Sequence, residues 1–134
     1  ANVNVTLTHG TYNFNNGIDV CLDNIILKCN VSTLVGQGDN SIGITVHKSN
    51  VTIENCNLRE YYTEGIRVQN VNAQSPIIRD NSIKANFPGG SKPGISVWTN
   101  NATITGNEVL STNPQFVNNY TISLGFPGGG GDCY

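Results

Sequence analysis

Along residues 3–8 apolar and polar positions alternate strictly, with Val3, Val5 and Leu7 on one side and Asn4, Thr6 and Thr8 on the other. Period-two alternation over so short a run predicts a β-strand. His9-Gly10 interrupts the pattern, Tyr12 and Phe14 resume it, and Asn15-Asn16-Gly17 supplies a turn. The pattern then repeats. Gly43-Ile44-Thr45-Val46 leads to Asn50-Val51-Thr52-Ile53 and on to Cys56-Asn57-Leu58. Gly65-Ile66-Arg67-Val68 leads to Pro76-Ile77-Ile78 and Asn81-Ser82-Ile83, and Gly94-Ile95-Ser96-Val97 to Asn101-Ala102-Thr103-Ile104 and Asn107-Glu108-Val109. An earlier copy, Gly17-Ile18-Asp19-Val20 to Asn24-Ile25-Ile26-Leu27, precedes them, and a partial one, Thr121-Ile122-Ser123-Leu124, follows. Their first isoleucines, Ile18, Ile44, Ile66, Ile95 and Ile122, lie 26, 22, 29 and 27 residues apart. A repeat of this length built from very short strands predicts a coiled solenoid. No stretch carries a helical apolar stripe over the roughly 10–12 residues that a helix needs.

Stacking the copies predicts which side chains meet. One inward column holds the five isoleucines, and the next holds Val20, Val46, Val68, Val97 and Leu124. A third holds Leu27, Ile53, Ile78 and Ile104, and a fourth holds Val31, Leu58, Ile83 and Val109. Strand side chains alternate between faces, so Asp19, Thr45, Arg67, Ser96 and Ser123 are expected to point outward. That mixed column excludes the regular threonine array of an ice-binding face. Asn24, Asn50 and Asn101, with Ser75, fall at one corner; Asn81 and Asn107 fall at another, where the earlier coils place Cys29 and Cys56. Asparagine tolerates left-handed backbone and its amide can bond the coil above, so a structural ladder is expected there.

Two corners are lengthened, by residues 86–93 and 111–118, and loops are added to solenoids at such places. Residues 1–124 are therefore expected to form one solenoid domain of about five coils without a capping helix. The glycine-rich residues 125–134 follow as an arm.

Gly10-Thr11-Tyr12 leading to Ile18-Asp19-Val20, together with the Gly-Ile-x-Val, Asn-x-Thr-Ile, Asn-x-Ile cadence, resembles the right-handed parallel β-helix of the pectin-lyase-like family. The resemblance covers about Val5 to Leu124. It implies an all-β parallel solenoid and admits carbohydrate-active enzymes, phage tailspikes, adhesins and surface proteins, because function lives in sites grafted on the fold. The family's hydrolases cluster aspartates on neighbouring coils. Here the stacked neighbours of Asp80 are Asn55 and Gly106, so the carboxylate pair that glycoside hydrolysis uses is not formed. The acidic residues are scattered, which also leaves the lyase arrangement without its cation ligands. No catalytic residue and no cofactor is expected.

Composition narrows the setting. The 134 residues carry a formal net charge of −2 with 12% charged residues, so no basic stripe for nucleic acid exists. No apolar run approaches the roughly 18 residues of a membrane span. The chain begins at Ala1 and contains no Met, as expected of a processed, secreted form. Cys21, Cys29, Cys56 and Cys133 have no C-x-x-C spacing and no histidine at ligand distance in sequence, so no metal site is expected. An even count suits disulfides in an oxidising compartment. Cys29 and Cys56 occupy equivalent corners of adjacent coils, at the roughly 4.8 Å spacing a disulfide tolerates, and are expected to pair. Cys133 is expected to reach Cys21 of a neighbouring subunit. Sequons at Asn4, Asn30, Asn50, Asn101 and Asn119 are candidate glycan sites. The corner-ladder argument tells against Asn50 and Asn101 if they face inward.

Trp98, Tyr61 and Tyr62 are candidates for contact with a saccharide or a subunit. His47, beside Lys48, reads as a solvated or corner residue. With no cap written at either terminus, the open ends suit end-to-end stacking. The chain is thus expected to be a secreted, self-assembling subunit of an extracellular filament, tube or sheath, with itself as partner. The alternative expectation is a carbohydrate-binding or carbohydrate-cleaving module with cell-surface polysaccharide as partner.

Overall fold

The triplets rich in Ile, Val and Thr form strands of three to five residues, each ended by a residue that turns the chain. The computed structural model describes residues 2–36, 42–60, 64–68, 73–85, 94–111 and 122–124. Sheet A holds β1 (Val3–Thr6), β4 (Ile25–Lys28), β7 (Thr52–Glu54), β10 (Ile77–Arg79) and β13 (Thr103–Thr105). Sheet B holds β2 (Thr11–Asn13), β5 (Thr33–Val35), β8 (Asn57–Arg59), β11 (Ser82–Ala85) and β14 (Glu108–Ser111). Sheet C holds β3 (Ile18–Val20), β6 (Ile42–Val46), β9 (Glu64–Val68), β12 (Ile95–Val97) and β15 (Ile122–Leu124). The chain visits A, B and C in turn and then returns to A one strand further on. Every pairing is parallel. The protein is an all-β parallel solenoid, with no helix among the described residues. The expected glycine-rich arm, 125–134, and the two insertions, apart from Ser111 in β14, lie outside those residues.

Three of the four inward columns form as the repeat implies. Leu27, Ile53 and Ile78 stack in register, as do Ile44, Ile66 and Ile95, and Val46, Val68 and Val97. All nine are buried. The fourth column needs a correction. Leu34 pairs with Leu58 and is buried, whereas Val31 lies on the surface, 57% exposed, with φ +59°. The corner between β4 and β5 spans residues 29–32, two more than the corner between β7 and β8, so the inward position falls seven residues after Leu27, at Leu34 rather than Val31, where Leu58 follows Ile53 by five. Asn30 and Val31, both left-handed, take up the excess.

The glycine that precedes the isoleucine in the repeat is a packing requirement. A Cβ on Gly94 would lie 2.1 Å from a methyl of Val109, and one on Gly65 2.6 Å from a methyl of Ile83. Here the chain enters sheet C directly against core side chains. The N–H groups of Gly65 and Ile66 both donate to the Gly94 carbonyl, which locks the crossing. Gly94→Ala is expected to cost about 1–3 kcal/mol, as other overpacked cores do. A urea midpoint unchanged from the parent would show that Val109 gives way freely.

The corners use the left-handed region as expected. Asn24, Asn50, Ser75 and Asn101 have φ of +62°, +56°, +57° and +60°. Asn50 Nδ2 donates to Asn24 Oδ1 at 3.1 Å, one rung of the amide ladder. At the other corner the ladder is buried: Asn81 Oδ1 accepts from the Cys56 N–H, while Asn81 donates through Nδ2 to the Ile53 carbonyl and to Asn107 Oδ1.

The Cys29–Cys56 disulfide is formed between fully buried residues with Cα atoms 4.8 Å apart. It closes a loop of 27 residues across two coils. Replacing both cysteines with Ala is expected to lower stability by about 3 kcal/mol, chiefly through the freed unfolded chain. Denaturant unfolding of the double variant measures this, and a loss under about 1 kcal/mol would contradict it.

Candidate functional site

Burial along one inward column shows where the solenoid is incomplete. In sheet A, Leu27, Ile53 and Ile78 are 5%, 0% and 1% exposed, while Val5, which continues the column at the first rung, is 42% exposed. At the other end Ile104 of the same column is half-buried. Sheet B repeats this, with Leu34, Leu58 and Ile83 buried between half-buried Tyr12 and Val109. In sheets A and B the core therefore reaches solvent at both end rungs. At the first rung an open apolar hollow of about 220 Å³ forms between sheets A and C, lined by Val5, Ile18, Val20, Leu22, Ile25 and Leu27. Val3 and Leu22 add exposed apolar surface there, and Leu110 adds it at the last rung.

The sides of the solenoid are polar and largely self-satisfied. On sheet A, Glu54 lies between Lys28 on one rung and Arg79 on the next, with Arg79 Nη2 at 2.7 Å and Lys28 Nζ at 4.0 Å. On sheet C, Arg67 grips both oxygens of buried Glu64, with Nε and Nη2 at 2.9 and 2.6 Å, and its guanidinium lies 5.5 Å from the Trp98 ring centroid. His47 is buried and its Nε2 sits 3.1 Å from Asp19 Oδ1.

Several expected positions change character. Thr45 and Ser96 lie in register on either side of Arg67 in the column expected to face outward, yet they are buried, at 6% and 1% exposed. His47 is likewise a buried partner of Asp19 rather than a solvated residue. Asn50 and Asn101 are exposed, as are Asn4 and Asn30, so the inward orientation that would have excluded glycans at the first two does not occur. Trp98 is half-buried, with Arg67 over its ring. Cys21 is disulfide-bonded, and since Cys29 and Cys56 bond each other, its partner lies outside the described residues. Tyr61, Tyr62, Asn119 and Cys133 also lie outside them. No group of side chains suited to holding a metal ion occurs among the described residues. No helix there is long and apolar enough to cross a membrane.

Sequence reasoning did not find the Glu54 and Glu64 ion pairs. Arg79 against Glu54 was available from the stacked register. Glu64 was not, because its pairing depends on where β9 begins. No family model, curated protein or solved structure matches the chain.

Proposed function

We propose that the chain is a secreted structural subunit that assembles end to end into an extracellular filament, tube or sheath. The observation that carries this reading is the inward column, sealed in mid-stack and open at both ends. Strand edges that also expose apolar surface are templates for another chain, and natural proteins ordinarily blunt or cover them. The disulfide supports an oxidising, extracellular setting, and the exposed sequons Asn4, Asn30, Asn50 and Asn101 are accessible glycan sites in that setting. The right-handed, pectin-lyase-like form of the solenoid belongs to the same proposal.

A structural role also accounts for the acidic residues. Glu54 and Glu64, the two buried carboxylates among the described residues, are each engaged by an arginine. The Glu54–Arg79 pair joins two rungs and the Glu64–Arg67 pair lies within β9, both structural arrangements, and no catalytic activity is proposed. The covalent lock between subunits is set aside, because Cys21 is already oxidised within the single chain. Assembly rests on non-covalent contact.

Light scattering and negative-stain electron microscopy across a concentration series test the reading. Elongated particles that lengthen with concentration, and dissociate to single chains in denaturing gels without reductant, are expected. A monodisperse monomer at high micromolar concentration would remove the reading. Binding of acidic polysaccharide by such a monomer would turn it to the carbohydrate module, with Trp98 as the first residue to replace.

A further inference from the structure

Resting on that self-assembly, the geometry points to one polarity and one register: the last rung of one copy docks on the first rung of the next, head to tail. We infer that β13 of one copy pairs in parallel with β1 of its neighbour, and β14 with β2. Both ends expose the continuation of the same inward columns, so a head-to-head pair would cover one and leave the other open. A head-to-tail contact covers both with a single heterologous interface and, because it continues the solenoid's own rung-to-rung step, repeats as an open filament rather than a ring.

The register follows from columns the structure already contains. Val5 stands over Leu27, Ile53, Ile78 and Ile104 in turn, so Ile104 of one copy meets Val5 of the next. Tyr12 heads the column of Leu34, Leu58, Ile83 and Val109, so Val109 meets Tyr12. These two pairs align together only when sheet A meets sheet A. The outward columns agree. Asn4 and Thr6 meet Thr103 and Thr105, so the Lys28–Glu54–Arg79 ion ladder ends in neutral residues on both sides of the junction. On sheet B, Thr11 meets Glu108, whose charge faces Lys84 at 3.7 Å within its own copy. No like charges are opposed at any of these positions, an arrangement that would cost stability.

One corner bond is missing from this junction, and it provides a gain-of-function test. Within the stack a side-chain oxygen accepts the N–H of the rung before it: Ser32 Oγ from Gly10, Asn81 Oδ1 from Cys56, and Asn107 Oδ1 from Asn81. The next member of that column is Gly10 of the following copy, which has no side chain to offer. A Cβ at Gly10 meets nothing closer than 3.8 Å, so the site has room. Gly10→Asn is expected to extend the amide ladder across the junction and lower the assembly concentration severalfold.

Cross-linking decides the polarity. Asn4 and Thr103 are the two exposed ends of one outward column, so across the junction their Cα atoms would stand about 4.8 Å apart. That spacing accepts a disulfide. Asn4→Cys protein mixed with Thr103→Cys protein should give a covalent dimer on mild oxidation, and the double variant a ladder of oligomers. A dimer from either single variant alone, at equal yield, would overturn the polarity. Particles in the microscope without any Asn4→Cys to Thr103→Cys bond would overturn the register while leaving self-assembly standing. Absence of particles for the parent and for Gly10→Asn would remove both.

Discussion

Arg67→Ala is expected to destabilise the fold by about 3–5 kcal/mol, the cost of stripping one partner from a buried ion pair. Glu64 is only 4% exposed, and Arg67 holds both of its oxygens. Removing the guanidinium leaves a buried carboxylate without its two-pronged partner, and Thr45 and Ser96, the in-register neighbours of Arg67, carry no charge to replace it. Arg67→Lys keeps the charge but not the two-pronged geometry, and should recover only part of the loss. Pairing Arg67→Met with Glu64→Gln removes both charges and should recover more than half of the loss. Urea unfolding reads all three, and Trp98, the only tryptophan, sits beneath the guanidinium and reports the site by its fluorescence. Were Arg67→Ala to unfold at the parent midpoint, the pair would be a surface ornament and the burial of this face would need another cause.

How much of this was legible in the sequence depended on whether a residue's role is set by period or by neighbours. The inward isoleucine and valine columns follow from the repeat, because parallel strands stack like on like and the period carries the register. Leu34 was missed because a corner two residues longer than its counterpart is invisible to a pattern that assumes equal corners. The repeat glycine was visible as a letter, but its reason was not: only the packing of Val109 and Ile83 shows what a Cβ would strike. Burial of Thr45, Ser96 and His47 could not be read from strand alternation, which gives direction and not cover. The open ends were half legible. The sequence shows no capping helix, while the exposure of Val5 against that of Ile53 shows that the core reaches the solvent.

Asn81→Ala is expected to cost about 2–3 kcal/mol, because it strands a buried backbone N–H and withdraws a second donor from a ladder carbonyl. The Cys56 N–H loses its acceptor at 3.0 Å, and the Ile53 carbonyl, which faces β10 in the ladder, loses its side-chain donor at 3.1 Å. Each unsatisfied buried group costs roughly 1–3 kcal/mol, and Asn81 is 2% exposed, so water cannot replace either bond without opening the corner. Asn107 provides the control. It also makes three bonds, accepting from the N–H and Nδ2 of Asn81 and donating to the Ile78 carbonyl. Its place on the last rung leaves it half-buried, where solvent can take up what it releases. Asn107→Ala should therefore cost no more than about 1.5 kcal/mol in the dispersed monomer, a modest net loss for hydrogen bonds that water replaces. Equal losses for the two variants would mean that bond number, and not exclusion of water, sets the strength of the ladder. If Asn107→Ala becomes more costly once the protein has assembled, the last rung has been covered, as a neighbouring copy docked on it would do.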